Sequence, residues 1–143
     1  MHRAETILDA ILSLLTGLTT TGEKVERGRV YKIAAWPSLS IEMGSDQASD
    51  EGRSVAFQTR SLEVGVTSYA KADEDTETAL NTIRAEVYAA MMADHTLGLD
   101  FVLDVIFSGD SPPQLSGDSE QPAAAQTMNY SISYRHSLIS AES

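Results

Sequence analysis

The sequence reads as one α/β domain of the α+β kind: a single mixed, mostly antiparallel sheet with two helices packed on it. Three observations predict this. Two stretches repeat apolar residues at helical spacing, and several others alternate apolar with polar residues. The strands follow one another across gaps that suit hairpins, and one strand–helix–strand passage allows a crossover. The chain has 143 residues, which fits one domain with a core of its own.

The first helix spans 3–18. Ala4, Ile7, Leu8, Ile11, Leu12, Leu15 and Leu18 form an apolar stripe, with Glu5, Asp9 and Ser13 opposite. Membrane-surface helices are rich in Lys and Arg, and here only Arg3 is basic, so the stripe reads as core-facing. Gly17 and the Thr19–Gly22 stretch end it. Two short strands follow at 24–34 and 38–43, separated by Trp36-Pro37. Leu39, Ile41 and Met43 alternate with Ser38, Ser40 and Glu42, the pattern of a half-buried strand. Residues 44–54 hold no apolar side chain except Ala48 and read as a mobile polar loop. A long strand runs from Val55 to Tyr69, with Leu62, Val64 and Val66 on one face. A second helix spans 74–92. Asp73 or Asp75 can cap it, and Leu80, Ile83, Val87, Ala90 and Met91 form its stripe. In the strand at 99–107, Phe101, Leu103, Val105 and Phe107 share one face, and Asp100, Val102, Asp104 and Ile106 the other. Residues 108–123, rich in Gly, Ser, Asp and Pro, read as a second long mobile loop. The closing strand, 126–135, alternates Met128, Tyr130, Ile132 and Tyr134 with Thr127, Asn129, Ser131 and Ser133.

Charge is distributed unevenly. The net charge is −11, from 21 acidic and 10 basic residues. A chain this acidic repels nucleic acid on average. Four of the ten bases lie between Lys24 and Lys32. From Ala85 to Tyr134 there is no Lys or Arg, but there are seven acids. One reading is a solubilising surface. The other is a pair of complementary patches on two sides of one subunit. The chain has no cysteine, which excludes disulfides and thiolate metal sites. No apolar run approaches a membrane span, and the N-terminal residues do not form an export signal.

The residue patterns point to no enzyme class and no cofactor. Gly17–Gly22 matches the first six positions of a phosphate-binding G-x-x-x-x-G-K-[ST] loop. However, Glu23 stands where lysine is required, Val25 lacks the metal-binding hydroxyl, and a helix rather than a strand precedes the loop. His2, His95 and His136 have no ligand partners at metal spacing. Asp73-Glu74-Asp75 lacks the glycine and distal glutamate of a calcium loop and suits a helix start. No G-x-S-x-G elbow occurs. Asp100 and Asp104 stand i, i+4 apart, as a glycosidase pair could, but the sequence supplies no cleft for them. Tyr130 and Tyr134 alternate with small polar residues, as core or interface residues do, and not as a base-stacking platform in acidic surroundings.

A familiar order of segments runs along nearly the whole chain. Leu14-Leu-Thr-Gly-Leu-Thr-Thr-Thr-Gly22 ends the first helix, and Val25-Glu-Arg-Gly-Arg-Val-Tyr31 follows. Then come Pro37-Ser-Leu-Ser-Ile41, Leu62-Glu-Val-Gly-Val66, the helix from Asp73 through Met92, Asp94-His-Thr-Leu-Gly98 and Tyr130-Ser-Ile-Ser-Tyr-Arg135. In that order and spacing the chain resembles the tail terminator family of long-tailed phages, of the lambda minor tail protein U type. The resemblance implies a hexameric ring that caps the finished tail tube, stops its growth and meets the head–tail connector, with DNA passing through the lumen without specific binding. It implies the virion tail as location, assembly in the host cytoplasm, and no membrane. Alternatives are another phage neck or head-completion adaptor or, from a different class, a small ligand-binding domain or enzyme.

A ring made by one repeated head-to-tail contact requires two different patches on each subunit. The candidates for subunit or partner contacts are Arg27, Arg29, Lys32, Asp46, Asp50, Arg53, Asp100, Asp104, Asp110 and Asp118. Arg27 and Arg29, i, i+2 on a strand, share a face with Val25. Two guanidinium groups need solvent, an acid of their own chain such as Glu23 or Glu26, or an acid of a neighbour.

Overall fold

The computed structural model describes residues 3–22, 25–27, 38–49, 57–71, 76–112, 114–117 and 122–137. Helix α1 (Arg3–Leu15) comes first, then β1 (Val25–Arg27), β2 (Ser38–Ser49), β3 (Phe57–Lys71) and α2 (Thr76–Met92). Strands β4 (Val102–Asp110), β5 (Gln114–Gly117) and β6 (Pro122–Ser137) complete the order. The architecture is α+β: one sheet ordered β1-β2-β3-β6-β4, with β5 also on β6. Among the described residues β1–β2 is the parallel pair, and the other pairs are antiparallel. Strands β4 and β5 lie end to end along one side of β6, since Asp110 pairs with Met128 and Gln114 with Ala125.

Helix α1 lies against β1 and β2, helix α2 against β3, β6 and β4, and the two helices touch each other. Their stripes close over one face of the sheet. Ile7, Leu8, Ile11 and Leu15 of α1 and Ile83, Val87 and Met91 of α2 are buried with Leu39, Ile41, Leu62, Val64 and Val66. Met128, Tyr130, Ile132 and Tyr134 of β6 join them, so the alternation read in that strand is the real inward face. Leu80 packs separately with Ala70 and Ala124. The opposite face carries hydroxyls that bond across strands: Ser61 with Ser131 at 2.8 Å and Thr67 with Thr127 at 2.9 Å.

Three sequence expectations are corrected. Residues 44–49 are not loop: β2 continues to Ser49, with Asp46 opposite Leu62 and Ser49 opposite Thr59 after a register shift between Met43 and Asp46. Much of 108–123 is also strand, as the end of β4, all of β5 and the start of β6. Ladder pairing uses only backbone groups, so a polar segment joins a sheet when a longer neighbour offers an edge. At Ser111-Pro112 the ladder is broken, and the Ser111 amide donates to the Thr127 carbonyl at 2.9 Å. In β4, register shifts between Val102 and Asp104 and between Phe107 and Gly109 disturb the alternation. Val102 is therefore buried and Leu103 exposed, the reverse of the simple two-residue period. Strand residues 28–34, the helix cap at Asp73 or Asp75, and loop residues 50–54 and 118–121 lie outside the described residues.

Candidate functional site

Among the described residues, the charges singled out in the sequence fall on two margins of the sheet and on the helix-side face between them. Arg27, at the end of β1, reaches α1. Its Nη1 lies 2.9 Å from Glu5 Oε2 and 2.9 Å from Asp9 Oδ1. Those acids stand one helical turn apart and so present both carboxylates to one guanidinium. Hydrogen bonding to Glu5 raises the Arg27 pKa above its ordinary value, burial opposes this, and the charge of Glu5 and the contacts with Asp9 add to the rise. The arginine has found acids of its own chain on the helix, not on its strand.

Asp46, on the continued part of β2, faces the helix side. It accepts a hydrogen bond from the Tyr134 hydroxyl at 2.8 Å and lies 3.4 Å from Arg60 Nη1. Burial raises the Tyr134 pKa, and the hydrogen bond to Asp46 raises it further. Phe101 meets Tyr134 edge-on at 6.5 Å, and the Arg3 guanidinium lies 4.7 Å from the centre of the Phe101 ring.

The other margin belongs to β4 and the flank of α2. Asp110 pairs with Arg84 at 3.1 Å, and Asp104 lies 3.1 Å from His95 Nδ1. Asp100 is exposed in the turn before β4. Arg84 and Tyr88 stand one turn apart on α2, off the Leu80–Ile83–Val87–Met91 stripe. Tyr88 meets Phe107 at 5.5 Å, nearly perpendicular, and Phe107 meets the buried Tyr130 at 5.3 Å. Asn81, Arg84, Ala85, Tyr88, Phe107, Asp110 and Met128 line a groove of about 300 Å³. Arg29, Lys32, Asp50, Arg53 and Asp118 lie outside the described residues.

The glycine loop after α1 has a structural occupant. Gly17 and Gly22 adopt positive φ of 94° and 55°, and the Gly17 amide donates to the Gly22 carbonyl at 2.7 Å. The Thr20 amide donates to Glu86 Oε1 at 2.9 Å, and its hydroxyl bonds the other Glu86 oxygen. The loop thus binds a carboxylate of α2, which ties the two helices. Among the described residues no three His, Asp or Glu side chains gather as metal ligands, and no helix is long and apolar enough to cross a membrane.

No family model and no curated protein matches the chain. Solved structures do. The fold is similar to that of a chain in the "virion of native gene transfer agent (GTA) particle". The TM-score is 0.55 at 11% identity, over 93% of this chain and 87% of the virion chain. At that identity the likeness to the virion chain is one of fold.

The geometry brings forward residues that sequence reasoning passed over. Met43 belongs to the inward face of β2, yet it is 56% exposed, because β1 pairs only with Leu39–Ile41 and leaves it uncovered among the described residues. Tyr88, on the flank of α2 beside Phe107 of β4, is 46% exposed. The available signal was the position of Arg84 and Tyr88 beside, and not on, the stripe of α2.

Proposed function

We propose that the chain is a structural protein of a phage-type virion and, within the virion, the subunit that forms a ring on the end of the tail tube. The ring stops tube elongation and provides the surface that joins tail to head. The observation that carries this reading is the fold shared almost end to end with a virion chain. The order of segments from Leu14 to Arg135 narrows it to the tail end, and the different furnishing of the two sheet margins suits a repeated head-to-tail contact. Its partners are copies of itself, in a ring of six, the tail tube protein and the head–tail connector. DNA passes through the lumen without specific binding; a net charge of −11 disfavours phosphate adhesion. The protein acts without catalysis or cofactor, in a tail assembled in the host cytoplasm.

The test is to add the purified protein to polymerising tail-tube protein of the same particle. Tubes capped at one end and shorter than in its absence are expected. Tubes of equal length with and without the protein overturn the terminator reading. Binding to DNA-filled heads and not to tubes points to a neck adaptor instead.

A further inference from the structure

Two backbone rows cross the sheet at right angles to the strands. One runs Met43–Val64–Tyr130–Phe107, the next Arg27–Ile41–Val66–Met128–Asp110. Among the described residues, each row ends on a side chain at both margins. Val64 and Tyr130 are buried under the helices, so their row neighbours Met43 and Phe107 also lie on the helix side. At the β2 margin Met43 stands beside a hollow lined by Leu8, Ile41 and Arg27. At the β4 margin Tyr88, Phe107 and Met128 line the groove, with Arg84 and Asp110 at its polar edge. One margin therefore offers a long apolar side chain, the other an aromatic groove, at the same height on the sheet.

We propose that the groove receives Met43 of a second copy of this chain, so that subunits join head to tail along these rows. The proposal rests on the ring reading above and names its contact. The charges argue for this occupant. Shifting one copy along the rows carries Arg84 and Asp110 towards the next copy's Glu5, Asp9 and Arg27. Arg84 then meets the two carboxylates, each about half exposed, and Asp110 meets Arg27. Every cation thus gains a carboxylate across the contact. A thioether adapts its shape and packs well against aromatic rings, which suits a groove walled by Tyr88 and Phe107. The two patches differ, as a heterologous contact requires, and they sit on opposite margins, so the contact can repeat and close.

The chain has no cysteine, so introduced thiols report the contact cleanly. The variant Met43→Cys with Ala85→Cys, which keeps sulfur on β2 and both aromatic walls of the groove, is treated with a short bismaleimide at rising protein concentration and is expected to give a ladder of covalent oligomers ending at the closed ring. Leu14→Cys with Ala85→Cys, which moves the first thiol to an exposed position on α1, is expected to give none. Separately, Met43→Asp is expected to abolish ring formation and tube capping while thermal unfolding stays unchanged, because Met43 is not in the core. Wild-type rings together with no ladder and normal capping by Met43→Asp overturn this contact and leave the ring reading intact. A ladder that stops at the dimer overturns the head-to-tail arrangement. Failure of the wild-type chain to form rings or cap tubes overturns both readings.

Discussion

In the sequence Asp46 falls in a polar segment that reads as loop and Arg27 on a short strand, both as unremarkable surface charges, but their environments in the fold differ. Asp46 is held between the Tyr134 hydroxyl and Arg60, and its second oxygen is buried without a hydrogen-bond partner. Its side chain is 18% exposed. Asp46→Ala removes the acceptor of the Tyr134 hydroxyl and the counter-charge of a part-buried guanidinium. The expected cost is about 1–3 kcal/mol, read as a lower midpoint in chemical denaturation at unchanged slope. Arg27 faces acids that are about half exposed, where solvent screens the pair. Arg27→Ala is expected to cost about 0–1 kcal/mol. Finding Arg27 the costlier of the two would reverse this ranking. The ranking was not legible in the sequence, because both assignments depend on partners 14 to 88 positions away.

The connection from α2 to β4 is held by a small turn with its own titration. Asp94 Oδ1 accepts from the Thr96 amide at 2.9 Å and from the Thr96 hydroxyl at 2.7 Å, and Leu97 follows with φ of 53°. The hydrogen bond from the Thr96 amide lowers the Asp94 pKa, with help from the hydroxyl. The folded value lies below the unfolded one, so the carboxylate's contribution is fully present above an unfolded pKa of about 3.9 and is lost as pH falls through the folded value. Asp94→Asn keeps an acceptor for Thr96 but cannot titrate. Its melting temperature is expected to fall below the wild type's at neutral pH, and the gap to narrow below about pH 4, near the carboxylate's unfolded pKa. Parallel curves down to acid pH would show that the turn is not linked to this proton. The element itself was readable where apolar periodicity was strong, as in α1, α2 and β6. It was unreadable in 44–49 and 114–117, where backbone pairing to β3 and β6 forms strand although each segment holds just one apolar side chain, Ala48 or Leu115. In β4 the bulges moved Val102 and Leu103 to unexpected faces, and no side-chain pattern announces a bulge.

The two-helix, one-sheet architecture followed from the sequence because both stripes and the inward strand faces had to meet in one core. The division of charge between a basic 24–32 segment and an acidic 85–134 half was legible too, but not its meaning. Glu86 is occupied by Thr20, Asp110 by Arg84 and Arg27 by Glu5 and Asp9, so several of these charges already serve their own chain. What remains for assembly is short-range, whereas the net charge acts at long range, and salt separates the two. Copies carrying −11 repel one another before they touch. At 0.01 M salt the screening length of about 30 Å exceeds the width of the sheet from β1 to β4, four interstrand steps or roughly 19 Å, so repulsion spans the contact. At 0.15 M it shrinks to about 8 Å. Charges far across the subunit are then screened, while the Met43 groove and the nearby cation–carboxylate pairs are affected much less. Association is therefore expected to strengthen between 0.01 and 0.15 M salt, measured by sedimentation at fixed protein concentration. It is then expected to flatten above that range, because burial of Met43 against Tyr88 and Phe107 does not depend on screening. A steady weakening over the whole range would mean that ion pairs alone hold the copies together, and that the apolar groove is not the seat of the contact.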